Sequence, residues 1–185
     1  MPSETSMPLP DLSVLDRHKT GGFPPDYPPN VRSFFSPVDD VHGALLELVQ
    51  SASSSLCIAM YGFDDDELAD AIEAKLADPA IEVQLTFDSS QAGGVHEREI
   101  LAREAYPASS VAIGRSEHGA IQHMKLLVID GTYRVSGSTN WSRSGEALQD
   151  NEMTVIHDRV MAVEARTRID AIHAHMLAAA AKKAA

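Results

Sequence analysis

Residues 123–140 read HMKLLVIDGTYRVSGSTN, and six of them have the types and spacing that phosphodiester chemistry needs. They are His123, Lys125, Asp130, Gly137, Ser138 and Asn140, in the order H-x-K-x4-D-x6-G-S-x-N. Side chains two apart in a strand project to the same side, so His123 and Lys125 bring an imidazole and an ammonium into one small volume. Asn140 follows the Gly137-Ser138 turn, and a hairpin returns it toward the start of the first strand. Glycine there lets the backbone approach an anion closely. Cleaving a phosphodiester develops charge on the non-bridging oxygens, so fixed donors lower its barrier. Lys125 and Asn140 are the natural phosphate-binding donors, with the Ser138 hydroxyl a lesser third. His123 is the nucleophile of choice, giving a covalent phosphohistidine. Such an intermediate needs a second residue to protonate the leaving oxygen and later to activate water.

The six-residue pattern resembles the HKD signature of the phospholipase D superfamily. The chain is similar in particular to that superfamily's short single-motif members, such as the small bacterial endonucleases. The resemblance extends over most of residues 35–178, where a strand ending in Tyr61 and Phe63 precedes a helix and then a strand ending in Asp88. It implies a metal-independent phosphodiesterase with no cofactor. In the superfamily the second residue is the histidine of a second motif. This sequence carries one motif, so the resemblance implies a homodimer in which His123 of each copy faces a single shared pocket. A carboxylate behind the imidazole would set its tautomer. The segment QDNEMTVI (149–156) resembles the family's downstream Asn/Glu segment, with Asn151 or Glu152 in the supporting position and Glu152 favoured. Asp130 lies seven residues from His123, ~23 Å along an extended strand, and faces the other side by parity. It is expected to shape the hairpin turn, with Gly137 the other structural member of the motif.

Three functions fit these residues. Nuclease-like hydrolysis of nucleic-acid phosphodiesters leads, because short single-motif relatives are mostly of that kind. A phospholipase D acting on lipid headgroups is the second. A catalytically silent dimer that keeps a phosphate pocket is the third, and acidity keeps it open. The formal net charge is −12, with 4 Lys or Arg against 17 Asp or Glu in residues 1–97 and 11 against 10 in residues 98–185. A non-specific nucleic-acid binder is normally basic over a broad face. Strong salt-driven affinity for polyanions is therefore not expected, whereas local phosphate binding by a few fixed donors is.

The elements that must position these groups alternate along the chain. Helices are expected from Ser36, with Ser36 as N-cap and Pro37 in the first turn, to about Ser51; from Asp64 to Ala77; from Val95 to Ala105 after a Gly93-Gly94 break; and from Arg159 to about Ala180. Strands are expected at 54–63, 81–87, 111–113, 125–129, 133–135 and 153–157, with Asp130-Gly131 a strong hairpin signal. Strands alternating with helices, then a hairpin, predict an α/β sandwich: a mixed central β-sheet flanked by helices on both faces.

Residues 31–185 read as one domain. Residues 1–30, rich in Pro, Gly and Ser, read as an extended or disordered arm, with packing through Phe23 and Tyr27 the alternative. No basic start followed by an apolar core opens the chain, and no apolar run reaches the ~20 residues that span a bilayer. The expectation is a soluble protein without a transmembrane segment, cytoplasmic by default, though a trimmed secreted form would look the same. The single cysteine, Cys57, excludes an intrachain disulfide and falls in the apolar run LCIAM as an inert thiol. No paired Cys/His spacing points to zinc. His18, His42, His157, His173 and His175 are expected on exposed faces. The run Asp64-Asp65-Asp66-Glu67 is expected to be a solvated helix start with no supporting metal-ligand geometry.

Overall fold

The computed structural model describes residues 9, 11–91, 107 and 109–184. Among them, seven strands form one mixed sheet: β1 (Val31–Ser36), β2 (Ser55–Met60), β3 (Glu82–Asp88), β4 (Val111–Gly114), β5 (Lys125–Ile129), β6 (Tyr133–Gly137) and β7 (Asn151–His157), in the order β1-β7-β6-β5-β2-β3-β4. β2, β3 and β4 run parallel to one another, while the β2–β5, β5–β6, β6–β7 and β7–β1 pairs are antiparallel. The helices are α1 (Val41–Ser51), α2 (Asp66–Leu76), α3 (Arg143–Ala147) and α4 (Arg159–Ala184). The helix expected over 95–105, with His96 and the Gly93-Gly94 break, lies outside the described residues.

Both faces of β2 are covered, which is why it reads as a continuous apolar run. Leu56, Ile58 and Met60 join the core beneath α1 and α2, with Leu45, Leu48, Leu68 and Ile72. Cys57 and Ala59 face the other way, onto Ala162, Ala165 and Ile169 of α4. Burial there pushes the Cys57 thiol up to about 12, so it stays an uncharged packing residue. The sheet is thus a sandwich filling between helices on both faces, as the alternation of elements predicts.

Three local features differ from the sequence expectation. Ser36 does not cap a helix; it ends β1 opposite Asn151, and its hydroxyl donates to Gly145 O (2.9 Å) and Gln149 O (2.8 Å). The cap is Asp40, whose carboxylate accepts from Gly43 N at 2.9 Å. Both residue types cap well, and strand pairing claims the first. β1 is not among the expected strands, because Arg32 and Ser36 occupy inward positions beside Phe34 and mask the alternation. The buried Arg32 is satisfied by Asp16 and by the carbonyls of Pro28 and Val31. The first part of the arm is packed: a 3-10 helix over Leu12–His18 sends Leu12 and Leu15 into the main core at 0% exposure, whereas residues 20–30 are exposed apart from the half-buried Phe23 and Tyr27. Burying each leucine stabilises the segment by roughly 1.5–3 kcal/mol. The Phe23 and Tyr27 rings meet at a tilt with centroids 4.7 Å apart, and the Arg32 guanidinium lies 4.9 Å from the Phe23 centroid.

Candidate active site

β5 starts at Lys125, paired with Met60 at the end of β2, so the chain entering one strand meets the chain leaving the other. Tyr61 and His123 meet at that junction, with ring centroids 4.4 Å apart. Lys125 Nζ lies 3.1 Å from His123 Nε2, donates to His123 O at 3.1 Å, and sits 4.9 Å from the Tyr61 ring centroid. An ammonium can only donate, so the Nε2 it bonds carries the lone pair and the ring proton falls on Nδ1. That nitrogen holds a single lone pair, which can attack phosphorus once the ammonium turns to the phosphate oxygens and neutralises the charge that develops there. Lys125 is only 8% exposed, and burial holds its ammonium below the ordinary lysine value.

The approach to His123 is fixed from behind. Asp88, at the end of β3 and fully buried, accepts Gln122 N at 2.6 Å through one oxygen, and Ser90 N (2.8 Å) and Ser90 Oγ (2.5 Å) through the other. Gln122 in turn accepts Met124 N at 2.8 Å. Tyr61 and Asp88 were legible only as matches to the family pattern; their contacts with this segment were not. The signal available was a strand ending in a polar residue, Asp88, where an inward side chain should be apolar.

Gly137 sits where β6 leaves β7, and a Cβ on it would lie 2.0 Å from Glu152 O. That carbonyl accepts Ser138 N and Thr139 Oγ1, each at 3.0 Å. The Ser138 hydroxyl donates to Asn151 Oδ1 (2.8 Å) and accepts from Glu152 N (3.0 Å), so it is engaged within the loop. Asn140 packs on Gly62, where a Cβ would meet its side chain at 3.1 Å. Trp141 N donates to Gly62 O (3.0 Å) and Asp64 N to Trp141 O (2.9 Å). The loop carrying Asn140 is thereby strapped against the segment carrying Tyr61. Asn140 Oδ1 is buried with no hydrogen-bond partner among the described residues. Trp141 is buried against Phe63, so its role is packing first.

Glu152 is exposed. Its Oε1 accepts from Thr154 Oγ1 at 2.7 Å, and it lines a small cleft with Lys125, Gly137, Thr139, Trp141 and Met153. Among the described residues neither Glu152 nor Asn151 hydrogen-bonds to His123; Asn151 Nδ2 donates instead to Gly145 O at 3.0 Å. Asp130 lies at the other end of β5. Its carboxylate accepts the backbone N–H groups of Ser53, Ser54 and Ser55 and the hydroxyls of Ser53 and Ser54, at 2.8–3.1 Å. The motif therefore divides into His123 and Lys125 at one end of β5, the Gly137–Asn140 loop beside them, and Asp130 holding the far turn. Of the remaining histidines, His173 is buried, bonded to Thr86 Oγ1 (3.0 Å) and Ser109 O (2.9 Å), rather than exposed. His18 is mostly covered between Asp40 and Glu47.

Known proteins share this architecture. Nuc from Salmonella typhimurium, a phospholipase D family member, is 21% identical with a TM-score of 0.64, covering 77% of this chain and 92% of that one. NucT from Helicobacter pylori is 24% identical with a TM-score of 0.67, covering 77% and 94%. At these identities the likeness is one of fold. A mitochondrial cardiolipin hydrolase of Chlamydomonas reinhardtii is 25% identical over 113 residues, 61% of this chain and 48% of the relative. The chain thus spans about half the length of that curated relative. Residues 45–173 match the family described as "Cardiolipin synthase, PLD-like domain", and with the HKD residues inside that span the chain belongs to this phospholipase D-like family.

Proposed function

We propose that the protein is a phosphodiesterase that cleaves nucleic-acid diesters through a phosphohistidine on His123, at a site completed by His123 of a second copy. The observation that carries this reading is the 3.1 Å contact between His123 Nε2 and Lys125 Nζ beneath Tyr61. It supplies a nucleophilic nitrogen and an adjacent cation. Lys125 and Asn140 bind the phosphoryl oxygens, with Ser138 bracing their loop through Asn151. One His123 attacks phosphorus, and its symmetry mate protonates the leaving oxygen and then activates water. Glu152 acts at the rim of the cleft. The fold shared with Nuc and NucT over nearly their whole lengths supports the nucleic-acid reading. The curated relative's printed activity, cardiolipin hydrolysis, and the family description support a second reading, hydrolysis of a phospholipid diester.

Single- and double-stranded DNA, RNA, phosphatidylcholine, cardiolipin and bis(p-nitrophenyl) phosphate, each incubated with the protein in excess EDTA, separate the readings. Nucleic-acid cleavage that persists in EDTA and disappears in His123→Ala is the expected result. Lipid hydrolysis without nucleic-acid cleavage would assign the second reading. Turnover of none of these diesters would leave only a phosphate-binding dimer.

A further inference from the structure

The acidic run at the start of α2 is not simply solvated. Asp65 is the N-cap of α2, accepting Leu68 N at 2.8 Å through Oδ1. Its Oδ2 lies 3.0 Å from Nδ1 of His42, in the first turn of α1. The same Nδ1 lies 2.8 Å from Oε2 of Glu146, in α3. His42 Nε2, on the far side of the ring, lies 3.2 Å from Glu67 Oε2. His42, expected on the surface, is thus enclosed by three carboxylates. One ligand-type atom from each of His42, Asp65 and Glu146 falls within 4.8 Å of the other two.

A second observation points to a ligand. Glu146 is 3% exposed, and its Oε1 is buried with no hydrogen-bond partner among the described residues. A buried carboxylate oxygen without a donor is destabilising, so it calls for a proton or a cation. The site opens into a cavity lined also by Asp64, Asp66, Glu67 and Arg143. Among the described residues, five carboxylates there face at most two cations, His42 and Arg143.

We infer that His42, Asp65 and Glu146 form a binding site for one divalent transition-metal cation of the Zn²⁺ type, separate from the His123 pocket. One imidazole nitrogen and two carboxylates form a zinc-competent set, leaving a fourth position open to the cavity. Ligand atoms of a tetrahedral zinc lie ~3.3 Å apart. The present 2.8 and 3.0 Å separations therefore open by only a few tenths of an ångström when a metal replaces the shared proton. Glu67 completes the arrangement, since a metal-bound histidine commonly donates its other N–H to a carboxylate that orients the ring. The cation would tie the starts of α1 and α2 to α3. α3 follows the Asn140 loop directly, and its Gly145 packs so closely that a Cβ would lie 2.5 Å from Asn140 O. The metal is therefore a staple behind that loop and takes no part in bond cleavage.

The test uses the full chain, stripped with EDTA and returned to chelator-free buffer, titrated with ZnCl2 by calorimetry and assayed for bound zinc. About one zinc per chain is expected, with a rise in Tm of several degrees at saturating metal. His42→Gln should abolish both effects. Glu67→Gln, an exposed position that leaves folding intact, should weaken zinc binding by roughly 10–100-fold. His123→Ala should bind zinc as the unaltered chain does. Equal zinc affinity in His42→Gln and the unaltered chain, loss of zinc in His123→Ala, or no zinc bound at all would overturn the site and leave a protonated His42 bridging its carboxylates.

Discussion

The pairing of His123 with Lys125 is the smallest unit that could carry the chemistry, and it makes the sharpest demands. The ammonium directs its proton at Nε2, the nitrogen that attacks in the proposed mechanism. Replacing Lys125 with Met should lower kcat/KM on the order of 10²–10³-fold while His123→Ala removes turnover, both read on bis(p-nitrophenyl) phosphate. Burial holds the Lys125 ammonium below its ordinary value of 10.5. The proposed mechanism needs its charge, so activity should fall on the alkaline side before an ordinary lysine would titrate. In Lys125→Arg that alkaline limb should vanish from the pH–rate profile even though the rate is lower, because guanidinium stays charged. A limb of unchanged position in Lys125→Arg would assign it to another group.

Between elements, the decisive contacts are the ones that hold β2, β5, β6 and β7 in register around the pocket. Asp130 ties three consecutive backbone N–H groups at the entry to β2, those of Ser53, Ser54 and Ser55, to the β5–β6 turn. In that turn Asp130 and Gly131 both take positive φ, 52° and 63°. Burial alone would raise the Asp130 carboxyl, but the Ser53–Ser55 donors outweigh it and hold the folded value below 3.8. Its contribution is therefore complete above the unfolded value and is lost as pH falls through the folded one. Asp130→Ala should cost roughly 2–4 kcal/mol at neutral pH by urea unfolding, with the difference shrinking in strong acid. Gly137→Ala drives a methyl into Glu152 O, backbone against backbone, and should cost upward of about 2 kcal/mol and activity together. An active, stable Gly137→Ala would show that β6 and β7 can part there.

The sequence made much of this level legible. Apolar runs located β2, β3 and β5, and Asp130-Gly131 marked the hairpin, because side-chain period and turn chemistry are local properties. What stayed hidden depended on partners distant in the chain. Arg32 looks solvent-bound until Asp16 is brought beside it. Ser36 looks like a cap until β7 claims it. His42 and Glu146 stand 104 residues apart, so no spacing rule could have joined them. Asp88 and Tyr61, too, acquire their contacts with the His123 segment only when β3 and β2 end beside β5.

For the whole molecule, the account requires two copies. One chain offers a single HKD histidine, and the proposed mechanism uses two on one phosphorus. When unaltered and His123→Ala chains are unfolded together in equal amounts and refolded, half of the dimers should be mixed and inactive, leaving about one quarter of the specific activity of the unaltered protein. One half would mean that each chain works alone, as would an active monomer in sedimentation. The charge of −12 adds an expectation: affinity for nucleic acid should be modest and only weakly salt-dependent, because few phosphates are neutralised on binding. The central claim, a covalent phosphohistidine, is tested most directly by the stereochemical course at phosphorus in a chiral phosphorothioate diester. Two successive in-line displacements give retention of configuration, the result predicted here. Inversion would mean that water attacks the diester directly, and the nucleophilic role of His123 would fall with it.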